Sequence, residues 1–405
     1  MTHKSGSAES NKEVGPVILS ERRNMPDRYA IHAELLFPGG GRPALADQLV
    51  EIENGCIVAI DDAGSGHAEA SFGIVTPGFI DLQINGAGGV MFNDTPDAQT
   101  IARMAAAARI GGTCHILPTY ITAPGTGYRD ALAAVAACGG PEILGVHLEG
   151  PFLSPEKPGI HQADHIRRLD AEDMTLLLAH RGRILLTLAP EEIEPSRVQT
   201  LTDAGLILSA GHSNAGCDTV LQAAGAGLTG VTHLFNACSQ LTAREPGVVG
   251  AALFDSRLFA GIIADGHHVS PRNLRLAHDL MKGRLFLVSD TMPTFGSDVT
   301  SFTVSAERIT LENGRLTSGE GRLAGAHLGL DRAVRVMIDQ AGVDAADALH
   351  MASGVPAAIL GLTDQFGSVA VGRSASLTCL NGDFEAEAVV VAGTLFRNEG
   401  GNGGG

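Results

Sequence analysis

The fold is decided by four short apolar runs, ILGVHLEG (143–150), LILSAGHS (206–213), GVTHLFNA (230–237) and LFLVSD (285–290). Each run carries, at or near its end, a side chain that can bind a metal or transfer a proton: Glu149, His212, His233 and Asp290. Continuous apolar runs are typical of buried parallel strands. In a β/α barrel the carboxyl ends of the strands converge on one face, so we expect these four side chains to share one site.

The residue types at that expected site suggest its chemistry. Two imidazoles and a carboxylate can hold a divalent metal and leave a position open for water. A further carboxylate beside that water can carry its proton. The pattern therefore indicates a metal-dependent hydrolase. For each residue taken alone, the alternative is an ordinary structural role, such as a solvated loop charge or a hydrogen-bonded histidine.

Eight such runs follow Thr76-Pro77-Gly78, the other four being GFIDLQING (78–86), CHILPTYIT (114–122), ILLTLAP (184–190) and FAGIIADGHHV (259–269). Segments of helical character lie between most of them, for example AQTIARMAAAAR (98–109) and TVLQAAGAG (219–227). This alternation predicts parallel strands joined by crossover helices. Eight repeats predict an α/β fold with a closed, TIM-like (β/α)8 barrel over residues 77–362, and an open doubly wound sheet is the alternative.

Both ends of the chain alternate in the manner of β-strands, with a turn signal at Glu53-Asn54-Gly55. We predict that residues 26–76 and 363–398 form one small β-sandwich domain into which the barrel is inserted. A further stretch of strand character, residues 299–322, turns at Glu312-Asn313-Gly314. Residues 1–25 and 399–405 are polar or rich in glycine and are predicted to be disordered.

Composition excludes several classes of partner. The chain has 405 residues and a formal net charge of −17, which argues against nucleic acid and against an anionic membrane surface. The six cysteines are scattered and form no CxxC pair, so we expect reduced thiols. The first 25 residues have no apolar core of signal-peptide length, and no run approaches a membrane span. These features predict a cytoplasmic protein.

Several further motifs occur in order along the chain: PGFIDLQINGAGGVMFND (77–94), HLEGPFL (147–153), KPGIH (157–161), AGHSNA (210–215), THLFNA (232–237), REPGVVGA (244–251), IIADGHHV (262–269) and VSD (288–290). Together they resemble the amidohydrolase superfamily and, more narrowly, its family of N-acetylglucosamine-6-phosphate deacetylases. The likeness extends from about residue 28 to residue 398. It implies hydrolysis of N-acetyl-D-glucosamine 6-phosphate to D-glucosamine 6-phosphate and acetate by a metal-activated water.

The resemblance also implies residue roles. Glu149, His212 and His233 would bind one divalent metal ion per subunit, with zinc first and iron, cobalt or manganese as alternatives. Asp290 would be the general base and then the general acid. Many superfamily members carry His-x-His at the end of the first strand and bind a second metal there. Gln83 and Asn85 stand at those positions, and because amides are weak metal ligands this favours a single metal.

The substrate-binding residues implied by the resemblance come from four motifs. His161, with Ile160, would lie near the acetamide group, and His161 is a candidate donor to its oxygen. Arg244 and His268 would bind the phosphate, Arg244 from a neighbouring subunit, which implies a homodimer. The remaining contacts would come from Asn236, Ala237, Leu323, Ala324 and Gly325. The stretches RLAGAHLGL (322–330) and TMPTFGSD (291–298) depart from the usual family pattern.

Other functions stay open at this point. N-acetylgalactosamine 6-phosphate differs from the glucosamine compound only at C4 of the sugar, and no motif reports on C4. Another N-acyl substrate would leave the phosphate-binding motifs without a role. A non-catalytic relative that kept the barrel as a scaffold would be expected to lose metal ligands, whereas all three are present.

Overall fold

The structure is a computed structural model that describes residues 20–64 and 66–398. Its strands are β1 Ser20–Arg22, β2 Arg28–Leu36, β3 Leu45–Glu53, β4 Cys56–Asp62, β5 Ala70–Pro77, β6 Phe79–Ile84, β7 Gly86–Ala87, β8 Val90–Met91, β9 Thr113–Ile121, β10 Val146–Glu149, β11 Ile184–Leu188, β12 Ile207–Ala210, β13 Gly230–Val231, β14 Phe259–Ile262, β15 Leu285–Leu287, β16 Ser301–Val304, β17 Glu307–Glu312, β18 Arg315–Ser318, β19 Leu377–Leu380, β20 Ala386–Val391 and β21 Thr394–Asn398.

The α-helices are α1 Ala98–Ala108, α2 Tyr128–Ala137, α3 Ala171–Ala179, α4 Pro195–Asp203, α5 Cys217–Gly225, α6 Gly247–Phe254, α7 Pro271–Leu280, α8 Leu330–Asp339, α9 Ala345–Ala352 and α10 Gly354–Ile359. Within the described residues, none of these helices is long and apolar enough to cross a bilayer. All six cysteines are free thiols.

A parallel sheet of eight strands forms the centre of the molecule, in the order β15-β14-β13-β12-β11-β10-β9-β6. Each of the eight predicted runs supplies one strand. The two edges meet through a parallel bridge between Ile84 and Thr291, and the backbone N–H of Asp290 donates to the carbonyl of Gln83 at 2.9 Å. The sheet is therefore closed, which confirms the predicted (β/α)8 barrel and rules out an open sheet.

The barrel strands are apolar because they are covered on both faces. Every residue of β6 and of β9 is buried. Helices such as α1 and α8 pack on the outside with one apolar side, whereas α6 is buried over most of its length. In α1, Asp97 caps the first turn by accepting from the N–H of Thr100, and Ile101 and Met104 face the core. The alternation of buried strands and packed helices along the sequence thus determines the barrel architecture.

The two ends of the chain come together in a second sheet of eight strands, in the order β1-β21-β20-β19-β5-β2-β3-β4. Its own apolar cluster includes Ile31, Val50 and Leu377. The predicted turn between β3 and β4 is present, and Asn54 and Gly55 have φ of 50° and 78°. Both chain ends thus contribute strands to one continuous sheet, where the sequence predicted a small β-sandwich.

Residues 20–25 of the segment predicted to be disordered lie within the described part of the chain. Residues 20–22 form β1, an edge strand that pairs with β21 through backbone hydrogen bonds, which need no apolar side chains. Residues 1–19 and 399–405, which complete the two segments predicted to be disordered, lie outside the described residues.

A three-stranded antiparallel sheet, β16-β17-β18, is inserted between β15 and α8. We call it the flap (residues 301–318). Its apolar side chains Val304, Ile309 and Leu316 pack against Met292 and Ile121 from the ends of barrel segments. The flap therefore lies against the carboxyl end of the barrel, beside the expected site.

Candidate active site

Four side chains lie at the carboxyl end of the barrel, where their strands stop. Glu149 is the last residue of β10, and His212, His233 and Asp290 follow β12, β13 and β15 by two or three residues. The last three have φ of 46°, 31° and 48°. Left-handed backbone is uncommon for such residues, and it turns each segment away from the sheet directly after the strand. All four side chains line one pocket at the mouth of the barrel.

Glu149, His212 and His233 bring three ligand atoms together. His233 Nε2 lies 3.0 Å from Glu149 Oε1 and 3.1 Å from His212 Nε2. The remaining distance, from His212 Nε2 to Glu149 Oε1, is 3.4 Å. Bonds of about 2.0–2.2 Å in a tetrahedral site place ligand atoms roughly 3.3–3.5 Å apart. The three residues are thus a group that can hold one small divalent cation.

The ring of His212 is oriented for that role. Its Nδ1 lies 2.9 Å from the backbone oxygen of Lys157. A carbonyl oxygen only accepts, so Nδ1 carries the hydrogen and Nε2 presents its lone pair to the cation position. Metal-binding histidines commonly have their second nitrogen fixed in this way.

Two amide side chains bind Asp290, and one of them, Gln83, links it to Glu149. Gln83 Nε2 donates to Glu149 Oε1 at 3.2 Å and to Asp290 Oδ1 at 3.1 Å. Asn85 Nδ2 donates to the same Asp290 oxygen at 2.7 Å. Gln83 lies in the first barrel strand, β6, and Asn85 follows that strand directly. Both amides lie next to Asp290 because the first and last barrel strands meet at this seam.

Another buried carboxylate, that of Asp81, holds the first and last barrel strands together. Asp81 Oδ1 accepts from the backbone N–H groups of Gln83 and Ser289, at 3.1 and 3.2 Å. Burial raises the pKa of Asp81 to about 7, although hydrogen bonds from Ser289 and Gln83 oppose this. Asp81 thereby joins the strand that carries Gln83 to the one that carries Asp290.

The two acidic groups of the site have opposite shifts. Burial raises the pKa of Glu149, but in the protein without a metal the adjacent imidazoles of His212 and His233 outweigh it and hold the pKa well below its usual value. Burial and the nearby charge of Glu149 raise the pKa of Asp290 to about 6. In the protein without a metal, Glu149 is therefore the permanent anion and Asp290 the group that can exchange a proton near neutral pH.

His161 lies against the ring of His212, with ring centres 4.3 Å apart. Its Nδ1 is 2.9 Å from Thr122 Oγ1, and that hydroxyl lies 3.3 Å from the backbone oxygen of Glu149. Burial, followed by repulsion from His212, lowers the pKa of His161 to about 3. His161 is therefore neutral in this environment, and the hydroxyl of Thr122 decides which of its nitrogens carries the hydrogen.

Comparison with protein families matches residues 74–396 to the amidohydrolase family. The chain belongs to this family. One similar relative is N-acetylgalactosamine-6-phosphate deacetylase of Shewanella sp. (strain ANA-3), 38% identical over 86% of this chain and 91% of the relative. Another is N-acetylglucosamine-6-phosphate deacetylase of Haemophilus influenzae, 34% identical over 80% of this chain and 87% of the relative.

Solved structures show the same likeness for this amidohydrolase. N-acetylglucosamine-6-phosphate deacetylase from Pasteurella multocida matches with a TM-score of 0.87 and 32% identity, covering 92% of this chain and 100% of that one. The enzyme of that name from Mycobacterium smegmatis, solved as a mutant in complex with N-acetyl-D-glucosamine-6-phosphate, matches with a TM-score of 0.83 and 28% identity. That match covers 91% of this chain and 99% of the other.

The active-site pocket of the amidohydrolase has a volume of about 420 Å³. Besides the four residues at the strand ends, it is lined by most of the residues that the sequence predicted to bind substrate: Ile160, His161, Asn236, Ala237, His268, Leu323 and Gly325. These residues come from separate segments of the chain, so the barrel has brought distant motifs to one place.

His268 is held in a fixed orientation beside the pocket. Asp265 Oδ2 lies 2.7 Å from His268 Nδ1, and Asp265 Oδ1 accepts from the backbone N–H groups of His267 and His268. Burial opposes ionisation of Asp265, but the hydrogen bond from His268 prevails and lowers the pKa of Asp265 to about 2. The neighbouring His267 is exposed and does not line the pocket.

Two predicted substrate-binding residues do not line the pocket of the single chain. Arg244 is exposed on the loop that precedes α6. Ala324 lies between the lining residues Leu323 and Gly325 but is 1% exposed and packs with the apolar side chains of the flap. Ala324 therefore supports the pocket wall from behind.

Sequence reasoning missed several residues in or beside the pocket, among them Lys157, Arg322 and Thr122. Lys157 and Arg322 both line it, and Arg322 reaches across to the backbone oxygen of Gly159 at 3.4 Å. Thr122, which contacts His161, ends the second predicted run. A signal existed for each: Lys157 begins KPGIH, Arg322 begins RLAGAHLGL, and Thr122 closes an apolar strand with a polar side chain.

Proposed function

We propose that this amidohydrolase removes the acetyl group from N-acetyl-D-glucosamine 6-phosphate, releasing D-glucosamine 6-phosphate and acetate. The observation that carries the proposal is the meeting of a three-residue cation group and a proton-exchanging carboxylate at one pocket. The pocket volume lies in the range of small-molecule sites. N-acetylglucosamine-6-phosphate deacetylases from Haemophilus influenzae and other organisms align along most of the chain.

We infer that Glu149, His212 and His233 hold the cation. When bound, the ion supplies a Lewis acid and lowers the pKa of water. Two imidazole nitrogens and one carboxylate oxygen suit zinc, and iron, cobalt and manganese are compatible with the same donors. Because Gln83 and Asn85 turn their amide N–H groups toward carboxylates, they offer no lone pair at that side for a second ion.

Asp290 carries the proton in the proposed reaction. It removes a proton from the attacking water, whose oxygen forms a bond to the acyl carbon. It then returns the proton to the nitrogen as the carbon–nitrogen bond breaks, which yields acetate and the free amine. A carboxyl group whose pKa lies near 6 can both accept and return a proton close to neutral pH.

His161 is the proposed donor to the acyl oxygen. A neutral imidazole donates from only one nitrogen. The hydrogen of His161 is on Nε2 when the hydroxyl of Thr122 turns from the backbone oxygen of Glu149, 3.3 Å away, to donate to Nδ1 at 2.9 Å. Nε2 can then stabilise the charge that develops on the acyl oxygen.

The proposed phosphate ligands are His268 and Arg244. Asp265 occupies Nδ1 of His268, so Nε2 is the ring atom left for a phosphate oxygen. Arg244 does not reach the pocket of its own chain, which supports a homodimer in which each Arg244 serves the partner subunit. Leu241 and Phe254, 48% and 70% exposed, lie on either side of Arg244 along the chain and offer apolar area for such an interface.

An experiment on mixed subunits tests the shared site. Arg244→Ala and Asp290→Asn are each expected to be nearly inactive toward the phosphorylated substrate. If Arg244 acts in the partner's site, hybrid dimers have one site with both residues intact, and mixing the two variants under exchange conditions restores activity. Sedimentation measurements check that dimers form. A mixture that exchanges subunits and stays inactive would remove Arg244 from the partner's site.

N-acetylgalactosamine 6-phosphate is the second candidate substrate. It is favoured by one observation, the 38% identity to the Shewanella relative that carries this name. Acetate release measured on both 6-phosphorylated N-acetylhexosamines, and on their unphosphorylated forms, decides between the two. A higher kcat/KM for the gluco compound supports the first proposal, and equal rates with and without phosphate would contradict both.

We further propose that the enzyme works in the cytoplasm. The support is chemical: all six cysteines are free thiols, and thiols persist in reducing compartments. Fractionation of cells, followed by acetate-release assays on each fraction, tests this location.

A further inference from the structure

Asn85 is placed differently from an asparagine that only stabilises a loop. The side chain is 1% exposed, and its Nδ2 donates to Asp290 Oδ1 at 2.7 Å. Its Oδ1 is buried and has no hydrogen-bond partner in the described part of the protein. Asn93, nearby in the chain, shows the structural pattern instead: its Nδ2 and Oδ1 both pair with the backbone of Ile121, each at 2.9 Å.

The backbone around Asn85 holds the amide rigidly. The N–H of Asn85 donates to the carbonyl of Thr291 at 3.0 Å, and its own carbonyl accepts from the N–H of Phe92 at 2.9 Å. The reversed amide would direct Oδ1 at a carboxylate oxygen, which is repulsive, so the observed orientation is the favourable one. A donor is therefore fixed opposite one chosen oxygen of Asp290.

The two oxygens of Asp290 are consequently unequal. Oδ1 accepts from Asn85 and from Gln83, whereas no hydrogen bond to Oδ2 is found among residues 20–64 and 66–398. A proton on Oδ1 would face two N–H donors and would break both hydrogen bonds. The proton is therefore directed to Oδ2, and the carboxylate cannot rotate without losing the same two bonds.

We propose that Asn85 is a positioning residue for Asp290, which holds Oδ1 and so makes Oδ2 the oxygen that receives and returns the proton. The inference rests on the proposed deacetylation, in which Asp290 carries the proton. It adds a reason for an amide at this position: Asn85 serves the base, and Gln83 ties that base to the cation ligand Glu149.

Asn85→Ala tests the proposal, with Asn93→Ala as the matched control. Loss of the fixed donor lowers kcat about 10²-fold, as misplacement of a reacting group does. KM changes by less than about threefold because Asn85, although it lines the pocket, binds Asp290 and is not one of the proposed substrate ligands. The acid limb of the kcat–pH profile moves to higher pH, since a donor to the charged form has been lost. Metal content, measured by elemental analysis, stays the same as in the unmodified protein.

Asn85→Asp provides a second variant of nearly identical shape. It replaces the N–H donor by a second negative oxygen, so its acid limb moves further than that of Asn85→Ala. Thermal melting identifies any variant that fails to fold. Asn93→Ala loses stability but keeps the kcat–pH profile of the unmodified protein.

The outcomes separate this inference from the proposed function. If Asp290→Asn is inactive while both Asn85 variants keep the original kcat and pH profile, the positioning role is wrong and the proposed reaction stands. A shift of the same size in Asn93→Ala would also overturn it, since a general loss of structure would then explain the data. If Asp290→Asn keeps full activity, the proposed reaction itself is wrong.

Discussion

Two of the regions with left-handed backbone, one in the β domain and one at the barrel mouth, are occupied by different kinds of residue. In the β domain, the turn between β3 and β4 uses Asn54 and Gly55, which tolerate positive φ. At the barrel mouth, the same backbone region is occupied by His212, His233 and Asp290. Strained conformations of this kind cost roughly 1–3 kcal/mol each and persist where function requires them. The residues of the turn suit the backbone conformation that folding requires, whereas the residues at the barrel mouth are explained by the chemistry of the site.

The largest expected effect comes from removing a cation ligand at the mouth. His212→Ala leaves Glu149 and His233 with too few donors for a tight site, so we expect the bound ion and all measurable turnover to be lost together. Elemental analysis and acetate release measure the two. A variant that stays fully active without a bound ion would show that the mouth does not depend on a cation.

Asp290→Asn is expected to lower kcat by about 10³-fold, because general acid–base catalysis contributes roughly 10²–10⁴-fold. The ion is retained, since the three cation ligands are untouched. In the metal-free protein the same change is stabilising above pH 6, where an ionised Asp290 is buried. Below about pH 4 the gain disappears, because Asp290 is then protonated in both folded and unfolded chains.

The expected gain in stability measures how much a buried, ionised Asp290 destabilises the barrel mouth. The pKa of Asp290 rises from 3.8 to about 6 on folding, which corresponds to a destabilisation on the order of 2–3 kcal/mol above that pH. Urea unfolding of the metal-free unmodified protein and of metal-free Asp290→Asn, at pH 8 and pH 4, measures it. Equal free energies of unfolding for the two proteins at pH 8 would show that an ionised Asp290 does not destabilise the fold.

The pH dependence of turnover follows from the same group. The base acts when ionised, so kcat falls as pH drops through the pKa of Asp290, about tenfold per pH unit. A bound cation favours the ionised form, so the limb lies at or below pH 6 in the loaded enzyme. Steady-state rates between pH 4 and pH 8 locate it. Turnover that rises toward pH 4 would exclude a carboxylate base.

The smallest effect is expected in the β domain. Gly55 has φ of 78°, and an added Cβ would lie 3.0 Å from the backbone oxygen of Ala392. Gly55→Ala is therefore expected to lower the free energy of unfolding by about 1–2 kcal/mol. Urea titration measures this, and kcat is expected to stay unchanged. A lower kcat without a lower free energy of unfolding would show that the turn influences the active site.

Sequence periodicity was sufficient for the barrel, because strands covered on both faces read as apolar runs of strand length. It also selected the residues at the strand ends, since Glu149, His212, His233 and Asp290 interrupt those runs with polar side chains. It could not place Arg322, whose position depends on how the flap folds against the loop at Gly159. Nor did it show Asn85 as a donor to Asp290, because that contact crosses the seam between the first and last strands.

That seam has a consequence for how activity depends on a complete fold. The cation ligands come from β10 and from the segments after β12 and β13, which lie close together along the chain and within the sheet. Asp290, the proposed proton carrier, comes close to the cation ligands only when the last barrel strand meets the first, where Asp81 binds both. A chain with an open ring could still capture an ion, yet it would have no group placed to deprotonate water. Enzymatic turnover therefore reports ring closure, while ion binding does not.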